Sequence, residues 1–228
     1  MLKVEGLAVS YGQSKVIHEL GFDAGRNETL AVMGRNGMGK TTLFKALMGV
    51  LPSAGSITVD GVEVNDLPPY RRVQAGLAYV PQGRMIFSNL TVLENIKTGL
   101  EVKGGGRVPD DIFALFPVLH EMRHRRGGNL SGGQQQQLAI ARALVTEPKV
   151  LLLDEPTEGI QPSIIKDIAA VLNEIRRMRE ITIVVSEQVL SFTMAIADRL
   201  IVIDKGRFIH EDRREDVDVE QISGYLSV

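Results

Sequence analysis

Gly34-Arg35-Asn36-Gly37-Met38-Gly39-Lys40-Thr41 fits the pattern G-x-x-x-x-G-K-[ST], and it stands between an apolar run, Thr29 to Met33, and a run of helical periodicity, Thr42 to Met48. The residue types dictate the chemistry. Glycines let successive backbone N–H groups turn inward as an anion nest, and a helix that starts there aims the positive end of its dipole at the same point. Lys40 brings a full positive charge to β- and γ-phosphate oxygens, while Thr41 offers a hydroxyl to Mg²⁺, a hard cation that prefers oxygen ligands. Strand before and helix after are the context this pattern needs, so the segment reads as a phosphate site.

A second group stands at Asp154-Glu155, directly after Val150-Leu151-Leu152-Leu153. Four apolar residues in a row read as a parallel strand buried on both faces, and such a strand delivers the residues at its end to the sheet edge where α/β proteins bind ligands. Asp154, first off the strand, is placed to hold Mg²⁺. Glu155, one residue farther, can face the γ-phosphate and polarise a water. Either carboxylate alone would equally suit an acidic turn before the helix that begins after Pro156; the two together favour catalysis.

The framework around these groups is set by the remaining pattern. Thr29 to Met33, Leu77 to Val80, Val150 to Leu153, Ile181 to Val185 and Leu200 to Ile203 are short apolar runs separated by helical periodicity, which predicts an α/β fold with a mostly parallel core sheet. Leu2 to Ser10, Val16 to Phe22 and Ser56 to Asp60, with turns at Tyr11-Gly12 and Asp60-Gly61, predict an antiparallel β subdomain. From about 90 to 148 the pattern is that of a helical subdomain, broken by Lys103-Gly104-Gly105-Gly106-Arg107-Val108-Pro109, and the tail from about 213 to 228 opens with mixed charge. The whole, 1–228, reads as one domain.

Composition narrows the function. The 228 residues carry 26 Lys plus Arg against 28 Asp plus Glu, a net charge of −2 and a pI near 6.1, which argues against electrostatic capture of nucleic acid. With no cysteine there is no disulfide scaffold and no thiolate nucleophile or metal ligand. The start, MLKVEGLAVS, lacks the apolar stretch of a signal peptide, and the longest apolar runs fall far short of the roughly 18 to 20 residues that span a bilayer.

Two further segments, Leu130-Ser131-Gly132-Gly133-Gln134 and Tyr79-Val80-Pro81-Gln82-Gly83, occur with the phosphate and carboxylate motifs in an order and spacing that resemble the ATP-binding cassette ATPases of ABC transporters. The resemblance runs from Tyr11 to Asp204. It implies a P-loop ATPase using ATP and Mg²⁺, with Gly34 to Thr42 on the nucleotide phosphates, Tyr11 stacked on adenine, and Thr41, Gln82 and Asp154 about the metal. Glu155 and Gln82 would act on the attacking water. Ser131, Gly132, Gly133 and Gln134 would open a helix as a second anion site that caps the γ-phosphate held by a partner chain, so that two chains clasp two ATP molecules.

The chain also departs from the family pattern. Gln161 stands where an Asp is usual after the carboxylate pair, and Gln188, in Ser186-Glu187-Gln188, stands where a His is usual. Gln188 can hydrogen-bond a γ-phosphate but cannot carry a proton near neutral pH. Glu158-Gly159-Ile160-Gln161-Pro162 and Pro81-Gln82-Gly83-Arg84-Met85-Ile86-Phe87 are similar to the second ATPase of amino-acid and amide importers. Within that group the strings Arg125 to Ile140 and Asp154 to Ser163 lean toward urea or short-chain amide import, with branched-chain amino acids as the alternative. The resemblance implies a sister ATPase or a second copy as dimer partner, two membrane permeases and, through them, a periplasmic solute-binding protein. It implies a peripheral place on the cytoplasmic face of a bacterial inner membrane.

Overall fold

Every residue of β3 (Thr29–Met33), β7 (Val150–Asp154) and β8 (Thr182–Glu187) is buried, as expected of parallel strands covered on both faces. The computed structural model describes residues 1–227. These strands join β6 (Leu77–Val80), β9 (Arg199–Asp204) and β10 (Arg207–Arg213) in the sheet order β10-β9-β3-β8-β7-β6. All pairs are parallel except the β9–β10 edge. The sequence expectation of a mostly parallel core sheet is met. The edge strand β10, Arg-Phe-Ile-His-Glu-Asp-Arg, has no apolar alternation to announce it; backbone pairing with β9 holds it.

Alternate residues of the core strands feed opposite layers. Leu30, Val32, Val150, Leu152, Val184, Ile201 and Ile203 pack with α1 (Lys40–Leu47) and with an antiparallel sheet of β1 (Leu2–Tyr11), β2 (Ser14–Ala24), β4 (Ala54–Val59) and β5 (Val62–Glu63). In β1 the buried set shifts from Leu2 and Val4 to Leu7 and Val9. The shift coincides with a register break at left-handed Gly6, a bulge that returns the apolar side chains to the same face. Asp60 and Gly61 both have positive φ and close the β4–β5 hairpin, the geometry of a two-residue primed turn.

The other face, Ala31, Met33, Leu151, Leu153, Ile183, Val185, Leu200 and Val202, is covered by helices. After α2 (Pro69–Gln74), these are α3 (Val92–Leu100), α4 (Asp110–Leu115), α5 (Pro117–Glu121), α6 (Gly132–Leu144), α7 (Pro162–Arg179) and α8 (Leu190–Ile196). Reciprocal caps start α3, between Thr91 and Glu94, and α6, between Ser131 and Gln134. The tail is not loose: α9 (Val219–Leu226), capped by Asp218, buries Ile222 in the core. Val228 lies outside the described residues. Among the described residues no helix is long and apolar enough to cross a membrane.

Candidate functional site

The loop between β3 and α1 is shaped by its surroundings. A Cβ on Gly34 would lie 2.5 Å from the Ile203 carbonyl oxygen, so only glycine fits there, and Gly39 has φ +111° at the mouth of α1. Lys40 is 3% exposed and folds back over the loop; its Nζ donates to the carbonyls of Gly34 (2.6 Å) and Arg35 (3.0 Å) and pairs with Glu155 at 2.9 Å. Asn36, Gly37, Gly39, Lys40, Thr41 and Thr42 line a cleft of about 250 Å³, which Gln82, Glu155 and Val16 complete. Gly34, Arg35 and Met38 face elsewhere: the Arg35 guanidinium donates to the Ser227 carbonyl at 3.3 Å, and the Met38 sulfur accepts the Lys205 N–H.

β8 lies between β3 and β7, so its end supplies the floor. Ser186 Oγ donates to Asp154 Oδ1 at 2.6 Å, Thr41 Oγ1 donates to the same oxygen at 3.3 Å, and the Tyr79 hydroxyl donates to Oδ2 at 3.1 Å. Burial pushes the Asp154 carboxyl up, against these three donors that pull it down. Burial first, then the neighbouring Asp154, pushes the Tyr79 hydroxyl up. Glu155 is 7% exposed and left-handed, with φ +46°, a conformation that costs a non-glycine residue about 1 kcal/mol. Its N–H donates to both Oγ and the carbonyl of Ser186, at 3.1 Å each. That turn swings its carboxylate back over the cleft, where it meets Lys40 and accepts from Gln82 Nε2 at 3.1 Å.

Other sequence candidates stand apart. Tyr11 is 50% exposed at the end of β1 and does not line the cleft. Gln188 is exposed just past β8 and also lies outside the cleft lining. Ser131, Gly132, Gly133 and Gln134 form the start of α6, away from the cleft of the same chain. None of the histidines lines it.

Sequence reasoning assigned nothing to Ser186, Tyr79 or Glu187. Glu187 is buried, and its carboxylate accepts from Thr157 Oγ1 (2.6 Å), the Thr157 N–H (3.1 Å), and the N–H groups of Gln188 (2.9 Å) and Val189 (3.1 Å). It ties the turn after Glu155 to the end of β8, and burial pushes it up. The signal that could have found it is a polar run, Ser186-Glu187-Gln188, directly after the apolar Ile183-Val184-Val185.

Behind the cleft an apolar groove of about 640 Å³ lies against β6 and α6, with Tyr70, Met85 and Phe87 on its walls. Met85 is 66% and Phe87 51% exposed. Tyr79 and Pro81 line the same groove, so the residue whose hydroxyl holds Asp154 also borders the groove.

No cluster of three or more metal-ligating side chains occurs among the described residues. Asp154 and Thr41, with the Gln82 amide at hand, instead form the sparse oxygen donor set that suits a Mg²⁺ completed by phosphate oxygens and water. Asp154→Asn is therefore expected to stabilise the nucleotide-free protein. A carboxyl with a raised folded pKa favours folding fully below the unfolded value near 3.8, and that contribution is lost as pH rises through the folded pKa. Asn escapes the loss, and the Tyr79 hydroxyl can turn to accept from its amide. Thermal melts should show the variant above the parent at pH 7.5, with the gap closing as pH falls toward 3.8; a lower melting point at pH 7.5 would refute the charge argument.

A loop of backbone donors at a strand-to-helix junction, a lysine and a carboxylate pair at the carboxyl edge of a parallel sheet define a P-loop nucleoside triphosphate hydrolase. The family described as ABC transporter matches residues 17–158. The chain is 38% identical to the high-affinity branched-chain amino acid transport ATP-binding protein BraG of Pseudomonas aeruginosa, across 93% of this chain and 92% of that one. It is 36% identical to a probable branched-chain amino acid transport ATP-binding protein LivF of Archaeoglobus fulgidus (91% and 89%) and 33% to the lipopolysaccharide export ATP-binding protein LptB of Haemophilus influenzae (95% and 92%). The ADP-bound cassette MJ1267 superposes with a TM-score of 0.82 over 99% of this chain and 94% of its own, at 26% identity. The chain belongs to the ABC transporter family, as an ATP-binding and ATP-hydrolysing subunit.

Proposed function

We propose that this subunit powers a solute importer, with Glu155 as the general base. The observation that carries the reading is the meeting of Lys40, Gln82 and Glu155 over one cleft, with Asp154 and Thr41 at its floor. Lys40 exchanges its carbonyl and carboxylate partners for β- and γ-phosphate oxygens when ATP enters, which releases Glu155 to take a proton from the attacking water. Gln82 orients that water and Glu155 together. Mg²⁺, held by Thr41 and Asp154 with Gln82 nearby, would neutralise charge between the β- and γ-phosphates.

The start of α6 lies outside its own chain's cleft, which supports closure by a partner's Ser131–Gln134, either from a second copy or from a sister ATPase. Tyr11, half exposed at a strand end, is free to stack on adenine, and Gln188 to reach the γ-phosphate on closure. The apolar groove is the seat for a permease segment: it exposes Met85 and Phe87, and it shares Tyr79 with the nucleotide floor. Such a complex places the subunit peripherally on the cytoplasmic face of the bacterial inner membrane, with a periplasmic binding protein choosing the solute.

The relatives named for branched-chain amino acids support that solute class. The strings Arg125 to Ile140 and Asp154 to Ser163 favour a second reading, urea or short-chain amides. Deleting the chain from its host and measuring uptake of labelled leucine, urea and acetamide decides between them. Loss of leucine uptake alone supports the first, loss of urea or acetamide uptake the second, and unchanged uptake of all three opposes both.

A further inference from the structure

Within the Pro81–Phe87 string the Arg84 side chain, like that of Gln82, reaches across to the turn that follows the carboxylate pair. Its Nη2 donates to the Glu158 carbonyl at 2.7 Å, and its guanidinium nitrogens come within 3.6 Å of where a Cβ would stand on Gly159 and on Gly132, the first residue of α6. The backbone is contorted to aim it: Arg84 and Met85 are consecutive left-handed residues, φ +66° and +45°, neither of them glycine. Arg142 of α6 fixes the loop from behind, donating to the Arg84 carbonyl at 3.2 Å with its guanidinium over the Phe87 ring. Strain of this kind persists only where the surroundings over-determine it.

We propose that Arg84 is a positioning residue for ATP hydrolysis, a brace that holds the Glu155–Gly159 turn, through the Glu158 carbonyl, at a fixed distance from the loop carrying Gln82. Gln82 and Glu155, both lining the cleft, share a hydrogen bond of 3.1 Å. Two segments meet there, and a second tie between them at Arg84 and Glu158 removes the freedom to pivot about the first. The guanidinium suits the task because it presents a rigid, always-charged fork of donors to a carbonyl. Met85 and Phe87, one and three positions after it, line the apolar groove, so a segment seated in that groove moves the turn through the same brace.

The inference rests on the reading of Glu155 as the base, and its test separates the two. Arg84→Gly deletes the brace while relieving the left-handed backbone, and Arg84→Lys keeps a charged donor. In the assembled transporter, kcat of Arg84→Gly should fall roughly tenfold to a hundredfold, the cost of a reacting group misplaced by about an ångström. KM and equilibrium ATP binding should stay within about twofold, the melting temperature should not drop, and Arg84→Lys should recover part of kcat. Parental kcat in Arg84→Gly would overturn the brace. So would a kcat loss matched by a lower melting temperature with no recovery in Arg84→Lys, since that marks a merely structural role. Should Glu155→Gln retain full turnover while Arg84→Gly loses it, the base assignment fails and the brace stands.

Discussion

Glu155→Gln binds ATP and barely turns it over, with kcat reduced by about two to four orders of magnitude, the range for loss of a general base. The fold should survive the change, because the site is built to tolerate a neutral group there. Lys40 keeps its two loop carbonyls at 2.6 and 3.0 Å, and the Gln oxygen can still accept from either Lys40 or Gln82. Nor does the left-handed backbone at Glu155 depend on the carboxylate; it is set by the two hydrogen bonds to Ser186. The expected signature is retained nucleotide, an unchanged or slightly higher melting temperature, and nearly no phosphate release. Turnover at the parental rate would remove Glu155 from the reaction.

Lys40→Ala behaves differently, because the pair is asymmetric. Glu155 has a side chain 6% exposed, and Lys40 is its only cationic partner in the structure's ion pairs among the described residues. Removing the lysine strands a buried carboxylate, which costs about 3 kcal/mol, or roughly 6–12 °C of melting temperature in a chain of this size. It also removes the charge that meets the phosphates, so ATP affinity should fall about thirtyfold to a thousandfold. The double variant Lys40→Ala with Glu155→Gln separates the two effects: stability returns, affinity does not. Equal instability in the single and double variants would show that the stranded charge is not the cause.

The parts of this molecule that could be read from residues are those whose physics is local. Leu77–Val80 and Thr29–Met33 emerge at the boundaries their runs give, because strands covered on both faces are built mostly of apolar residues. Lys40, Thr41, Asp154 and Glu155 sit in short motifs near strand ends; Lys40, Thr41 and Glu155 line one cleft, and Asp154 joins them through its bond from Thr41. The features that escaped are those only the sheet order creates. Because β8 runs between β3 and β7, Ser186 comes under Asp154 and Glu187 under Thr157, although more than a whole helix separates them in the chain. Tyr79 looks like one more strand residue until its hydroxyl is found on Asp154. β10 escaped for another reason: an edge strand with charged residues at both ends and little to bury is held by its neighbour's backbone, and hydropathy carries no trace of that.

The proposal that ATP is gripped between Lys40 of one chain and Ser131 of another is open to a direct covalent measurement, because the chain has no native cysteine. In a Glu155→Gln background that retains nucleotide, Asn36→Cys and Ser131→Cys place one thiol at the phosphate loop and one at the start of α6. Mild oxidation with ATP and Mg²⁺ present should yield a disulfide-linked species of twice the 25.0 kDa chain mass, or its mixed equivalent when the second thiol is placed on a sister ATPase, and none without ATP. An ATP-bound protein that stays monomeric under those conditions, while the parent chain hydrolyses ATP as a monomer, would contradict it.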